Sequence, residues 1–209
     1  IIFDMDGTLF DTETISMKAW NRVGDTLQLP TSDEFILSLI GRTRKDQQVV
    51  FDSYMPKDWP QEEACSLHTQ FKKEEKLKNG VPLMGDVKGL LDTVKAKGYT
   101  IAMATSASAE DVEFNLNNAD IQHYFEAIIS DEMITHGKPA PDVYLKTAQQ
   151  LNLSPQECLV VEDSLNGVRA AFGAGTTVVM IPDKVQPTKE IKAMCNYILK
   201  SLDDLKEIV

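Results

Sequence analysis

Cationic side chains are scarce: 21 lysines and arginines stand against 32 aspartates and glutamates in 209 residues, a formal net charge of −11. Nucleic-acid binding is driven by neutralising phosphates with Lys and Arg, so no nucleic-acid partner is expected. A small phosphorylated metabolite feels only the charges of its own pocket and remains admissible. Long apolar runs are lacking as well. No stretch approaches the roughly 18–20 residues that span a bilayer, and no membrane partner is expected. The chain has neither the basic start nor the cleavage site of a secretory signal. It opens inside an apolar run, Ile1-Ile2-Phe3, so residues are expected to precede it. Cysteine is limited to Cys65, Cys158 and Cys195, an odd count without CxxC or metal-ligand spacing. Cys158 opens the run Cys158-Leu159-Val160-Val161 and reads as a buried small hydrophobe. A reducing, cytoplasmic setting fits. Repeats and low-complexity tracts are absent, and no long apolar surface stripe is left over, so a monomer is expected.

What is present alternates. Short apolar runs rich in β-branched residues fall at 1–3, 100–104, 127–129, 159–161 and 177–181. Helical spacing lies between the later ones. Val87, Leu90, Leu91 and Val94 form one stripe, closed by Gly98. Val143, Leu145, Ala148 and Leu151 form another, after Pro141 in a first-turn position. Strands alternating with such helices predict right-handed βαβ crossovers, hence a three-layer α/β core with a doubly wound parallel sheet, Rossmann-like in class. Residues 14–80 break the rhythm and read as helices only, at 14–27, 33–39, 44–54 and 61–78. Thr31 and Glu34 have capping-box spacing, and Pro60 is placed to start the last helix. The expected organisation is a discontinuous core, 1–13 and 81–209, with an inserted all-helical cap domain, 14–80. The tail, 197–209, reads as a polar-faced terminal element without chemistry of its own.

Chemistry concentrates where strands end. The first apolar run leads into Asp4-Met5-Asp6-Gly7-Thr8-Leu9-Phe10-Asp11. Two carboxylates so close repel each other, and partial burial raises their pKa values. A divalent cation removes the objection, since magnesium takes hard oxygen ligands, commonly one or two carboxylates with waters and substrate phosphate. An EF-hand loop wants glycine at its sixth position, where Leu9 stands, so that alternative fails. Thr105 and Ser106 follow the second run, Gly137-Lys138-Pro139 the third, and Glu162-Asp163-Ser164 the fourth. Each has a plainer reading: a polar turn at Asp4–Asp6, a helix cap at Thr105-Ser106, a solvated charge at Lys138, a cap at Glu162-Asp163 for a helix beginning near Asn166. All four at the carboxyl ends of strands, in this order, are hard to explain that way, because open parallel sheets bind ligands at that edge.

Asp4-Met5-Asp6-Gly7-Thr8, then Thr105, Lys138 and Glu162-Asp163 resemble the four ordered motifs of the haloacid-dehalogenase-like hydrolases. The resemblance runs from residue 1 to about 183, and the helical insert is similar to that family's helical cap. His136-Gly137-Lys138-Pro139 and Val178-Val179-Met180-Ile181-Pro182-Asp183 resemble the subgroup of sugar-phosphate phosphatases and β-phosphoglucomutases. The resemblance implies Asp4 as nucleophile, forming an aspartyl-phosphate, and Asp6 as general acid and then base. It implies Mg2+ held by Asp4, the Asp6 main-chain carbonyl and Asp163, with Glu162 acting through a water. Thr105, Ser106 and Lys138 would take the charge of the transferring oxygens.

The resemblance further implies that an aspartate at position 6 marks phosphatases and phosphomutases of the family rather than dehalogenases or phosphonatases. The expected reaction is hydrolysis of a small sugar- or nucleoside-phosphate type monoester. A β-phosphoglucomutase-type mutase is the alternative, weakened because the family's mutases carry a histidine where this chain has Ser16 and a bulkier residue where Thr8 stands. Gly41-Arg42-Thr43-Arg44 resembles a cap loop that binds the remote part of the substrate, so Arg42 and Arg44 are expected contacts; the plainer reading is two arginines opening a helix. A catalytically silent phosphate-sensing module is a further alternative, whose mark would be a missing catalytic carboxylate; none is missing. His68, His123 and His136 show no metal spacing, Trp20 and Trp59 read as packing residues, and Gly173-Ala174-Gly175 ends a helix rather than cradling a dinucleotide.

Overall fold

Six short strands pair in parallel throughout: β1 (Ile2–Phe3), β2 (Ala102–Ala104), β3 (Ala127–Ile129), β4 (Leu159–Glu162), β5 (Thr177–Met180) and β6 (Tyr197–Ile198), in the order β3-β2-β1-β4-β5-β6. The computed structural model describes residues 1–40 and 44–209, and residues 44–46 only as part of a helix. Val160, Val161, Val178 and Val179 have no exposed surface, as expected of strands covered on both faces. This is the Rossmann-like α/β fold the alternation predicts, and the strand order places its reversal point between β1 and β4.

The chain divides into two compact units. The first comprises Ile1–Asp11 and Pro82–Val209, the second Thr12–Val81. The second holds α1 (Thr12–Leu27), α2 (Asp33–Leu39), α3 (Arg44–Tyr54) and α4 (Gln61–Asn79). The first holds the sheet with α5 (Val87–Ala96), α6 (Ala109–Ala119), α7 (Asp142–Gln150), α8 (Leu165–Ala174) and α9 (Lys189–Met194). Helix starts carry the side chains that satisfy their orphan N–H groups: Asp86 for α5, Ser108 for α6, Ser164 for α8 and Thr188 for α9. Gly98 (φ 85°) follows α5 and Gly175 (φ 79°) closes α8, both in the left-handed region a helix C-terminus favours.

Four local readings differ from the structure. The cap of α2 is Ser32, whose hydroxyl accepts from the Phe35 N–H at 3.2 Å. Thr31 instead lies over Gly24, where a Cβ would come within 1.8 Å of its Oγ1. Helix α8 is capped by Ser164 rather than by Glu162-Asp163. The buried stripe of α7 is Val143, Tyr144, Thr147 and Ala148, with Leu145 41% exposed, so the helix is rotated from the periodicity read over 143–151. The tail adds β6, which pairs Val179 with Tyr197 and Met180 with Ile198. An exposed two-residue edge strand is too short to leave an alternation pattern.

The second unit is held by its aromatic side chains. Trp20 meets Phe35 edge-on at 5.5 Å and stacks on His68 at 4.4 Å; Phe51 contacts Trp59 at 5.1 Å. Fully burying a side chain such as Phe35 is worth about 1.5–3 kcal/mol. Outside, Lys18–Glu75 and Arg22–Glu74 join α1 to α4 at 3.0 and 2.8 Å, exposed pairs worth up to about 1 kcal/mol each. Among the described residues no helix is long and apolar enough to cross a membrane.

Candidate active site

Asp4 leaves β1 with its N–H donating to the Val161 carbonyl at 3.0 Å. The chain then reverses. The Met5 carbonyl accepts from the N–H groups of Leu9 (2.9 Å) and Phe10 (3.0 Å), and the Gly7 N–H donates to the Phe10 carbonyl at 2.8 Å. Gly7 sits at φ 78°, and a Cβ there would lie 2.4 Å from Asp163 Oδ2. Glycine is required twice over, by conformation and by the approach of the loop to the end of β4.

Three further strand-end segments converge on this loop. Lys138 donates to Asp4 Oδ1 at 2.5 Å, to Glu162 Oε1 at 2.6 Å and to the Ala104 carbonyl at 3.3 Å. Glu162 has no exposed surface. Its Oε1 also accepts from the Tyr144 hydroxyl at 2.8 Å. Its Oε2 accepts from the N–H groups of Asp163 and Ser164 and from the Ser164 hydroxyl, each at 3.0 Å. Thr8 donates to Asp163 Oδ1 at 3.2 Å. The Lys138 ammonium lies 5.0 Å from the centre of the Tyr144 ring.

These contacts divide the charge unequally. Burial pushes the Asp4 carboxyl up, to about 8; Lys138 opposes the shift, while Glu162 and Asp6 add to it. Burial alone would raise Glu162 too, but Lys138 and the hydrogen bonds of Ser164 and Tyr144 outweigh it and hold Glu162 below its ordinary value. Burial disfavours the Lys138 ammonium, yet Asp4 and Glu162 together hold its proton well above the usual lysine range. An ion-paired aspartate is normally lowered; Asp4 is not, because its burial outweighs the one lysine it shares with Glu162.

Oxygens of Asp4, Glu162 and Asp163 lie within 4.8 Å of one another. The donor set, all hard oxygen with a charge deficit that Lys138 does not cover, fits a magnesium ion. The five hydrogen bonds already on Glu162 suit it to act from behind such an ion rather than as a direct ligand.

The remaining expected residues are distributed as follows. Asp6 is partly buried beside this cluster in sequence. Thr105 is buried, its Oγ1 accepting from the Ala107 N–H at 3.0 Å, and Ser106 is exposed. Arg42 and the side chain of Arg44 lie outside the described residues. In the second unit, Ser16 Oγ is 3.1 Å from His68 Nε2. His136, 72% exposed in its side chain, holds Asp142 through Nδ1 at 3.0 Å. Tyr144, Thr8 and Gly167 lie against these carboxylates through contacts that no motif in the sequence announces. A Cβ on Gly167 would fall 1.7 Å from Glu162 Oε1.

A Rossmann-like sheet with paired carboxylates at its reversal point defines a class of α/β enzymes, and the comparisons place the chain within it. The model of the haloacid dehalogenase-like hydrolase family matches residues 1–181, and the chain belongs to that family. A phosphorylated carbohydrates phosphatase of Thermotoga maritima is 31% identical over 178 residues, 84% of this chain and 81% of the relative. A probable pseudouridine-5'-phosphatase of Drosophila melanogaster is 33% identical over 215 residues, covering 98% and 90%. Among solved structures, a putative beta-phosphoglucomutase from Thermotoga maritima superposes with a TM-score of 0.80 at 28% identity, over 100% of this chain and 98% of that one.

Proposed function

We propose that this chain hydrolyses a small phosphomonoester, of sugar- or nucleoside-phosphate type, through a phosphorylated Asp4. The observation that carries the reading is the pairing of one buried lysine with two buried carboxylates at the sheet's reversal point, 2.5 and 2.6 Å away. Asp4 attacks phosphorus with a carboxylate oxygen, forming the O–P bond as the bond to the ester oxygen breaks. Asp6 gives its proton to the departing alkoxide and later takes one from the water that cleaves the acyl phosphate. Lys138, with Thr105 and Ser106, faces the oxygens on which negative charge is spread. Asp4, the Asp6 carbonyl and Asp163 would hold magnesium, with Glu162 acting through a water. Bound there, the ion would supply positive charge that favours the ionised form of the Asp4 carboxylate. The relatives named as phosphatases of phosphorylated carbohydrates and of pseudouridine phosphate support this substrate class. A reducing, cytoplasmic compartment agrees with three free cysteines.

The test is phosphate release from a panel of sugar and nucleoside monophosphates, with magnesium and with EDTA. β-Glucose-1-phosphate is included with a trace of the 1,6-bisphosphate. Magnesium-dependent release on at least one substrate is expected. Conversion of glucose-1-phosphate to the 6-phosphate without net release would replace hydrolysis by mutase chemistry, and silence across the panel would remove both.

A further inference from the structure

Among the described residues two buried side-chain oxygens lack a hydrogen-bond partner, and one of them is Asn115 Oδ1. Asn115 lies on the inward face of α6, between Val112 and Leu116, without exposed surface. Its Nδ2 donates to the Met5 thioether at 3.7 Å, a weak bond to a poor acceptor. An apolar side chain would bury no unpaired carbonyl, so hydrogen-bond satisfaction alone favours one at this position. The amide therefore answers to something other than core packing, and the neighbour it grips indicates what. Met5 separates Asp4 from Asp6, and its carbonyl takes the N–H groups of Leu9 and Phe10 that close the loop. Helix α6 begins at the Ser108 cap, three residues beyond Thr105. It is thus tied at one end to the turn expected to hold phosphate and, two turns later, to the residue between the two aspartates.

We propose that Asn115 is a positioning residue: its amide draws Met5 against α6 and sets the Asp4–Asp6 loop relative to the Thr105 turn, at the expense of stability. The catalytic part of this rests on the phosphatase reading; the positioning part does not.

The variants Asn115→Leu, Met5→Leu and the double variant test both. Amide hydrogen exchange at Leu9 and Phe10 reports the loop without any substrate. In Asn115→Leu it should accelerate by about tenfold or more, and in Met5→Leu, which adds no bulk at position 115, by a similar factor. With the best substrate of the panel, kcat should fall by roughly 5–30-fold with KM within about twofold. The double variant should be no worse than either single one, since both remove the same contact. Unchanged exchange at Leu9 and Phe10, or additive losses in the double variant, would overturn the proposal. An inactive wild type would sink the phosphatase reading while the exchange arm still decided the positioning role. Met5→Leu, which keeps Asn115 in place, guards against a leucine that merely misfits.

Discussion

One ammonium group sits 2.5 Å from Asp4 and 2.6 Å from Glu162, and the two contacts differ in consequence. Glu162 has four other donors to steady its charge, so Lys138 completes an already stabilised anion. Asp4 relies on Lys138, and burial pushes its carboxyl up to about 8. Asp4→Asn should fold as well as the wild type, while turnover drops by roughly a thousandfold or more if Asp4 is the proposed nucleophile; far-ultraviolet circular dichroism and phosphate release check the two halves. Lys138→Met leaves Glu162 charged and buried without its cation. Loss of about 3–5 kcal/mol is expected in urea denaturation without divalent ions, a large share of the 5–15 kcal/mol typical of a folded domain. His68 makes a separate case, remote in sequence from these carboxylates. Burial, then the nearby Lys72 charge, lowers it to about 4, against the partial opposition of the Ser16 carbonyl. The folded chain thus resists taking up a proton that the unfolded chain accepts at 6.5. The stability involved is whole above that value and is lost as pH falls from 6.5 toward 4. Between pH 7 and 5 the loss amounts to about 2 kcal/mol at most. His68→Phe keeps the ring against Trp20 and should flatten that dependence in urea midpoints taken at the two pH values.

Elements position these residues through contacts that no linear motif announces. Helix α8 runs so near Glu162 that a Cβ on Gly167 would lie 1.7 Å from Oε1. Gly167→Ala has to move either the helix or the carboxylate. A loss of about 1–3 kcal/mol in denaturation, with kcat falling more than KM changes, is the expected result. The helices of 14–80 were legible almost to the residue because they are long and amphipathic, with turn residues between them. Gly167, Tyr144 and Thr8 were not, since each acts on Glu162 or Asp163 across the fold rather than along the chain. Likewise, periodicity over 143–151 rotated α7 because Leu145, an apolar residue at a plausible spacing, faces outward, while the polar Thr147 is buried. The strand-end carboxylates and Lys138 were legible for the opposite reason: a parallel sheet brings the carboxyl ends of its strands together, so order in sequence already implies proximity.

At the scale of the whole molecule, an acidic protein concentrates uncompensated negative charge in one buried cluster, and a cation that binds only the folded form must stabilise it. Magnesium at about a hundred times its dissociation constant should add about 2.7 kcal/mol, read as a rise in melting temperature that Asp163→Asn diminishes and calcium or sodium do not reproduce equally. The sheet order β3-β2-β1-β4-β5-β6 has one more consequence. The strand that carries Asp4 is the first along the chain, but its partners lie about a hundred and about a hundred and sixty residues later, at Ala102 and Val160. During synthesis β1 must wait for β4, about a hundred and sixty residues later, before its second edge is covered. Such distant pairings are slow to form, and a nascent chain halted before residue 159 would present Ile2, Phe3 and Met5 to whatever chaperone is at hand. Asp4 precedes both partners of its strand along the chain, so its surroundings are complete only once Glu162 and Asp163 have followed.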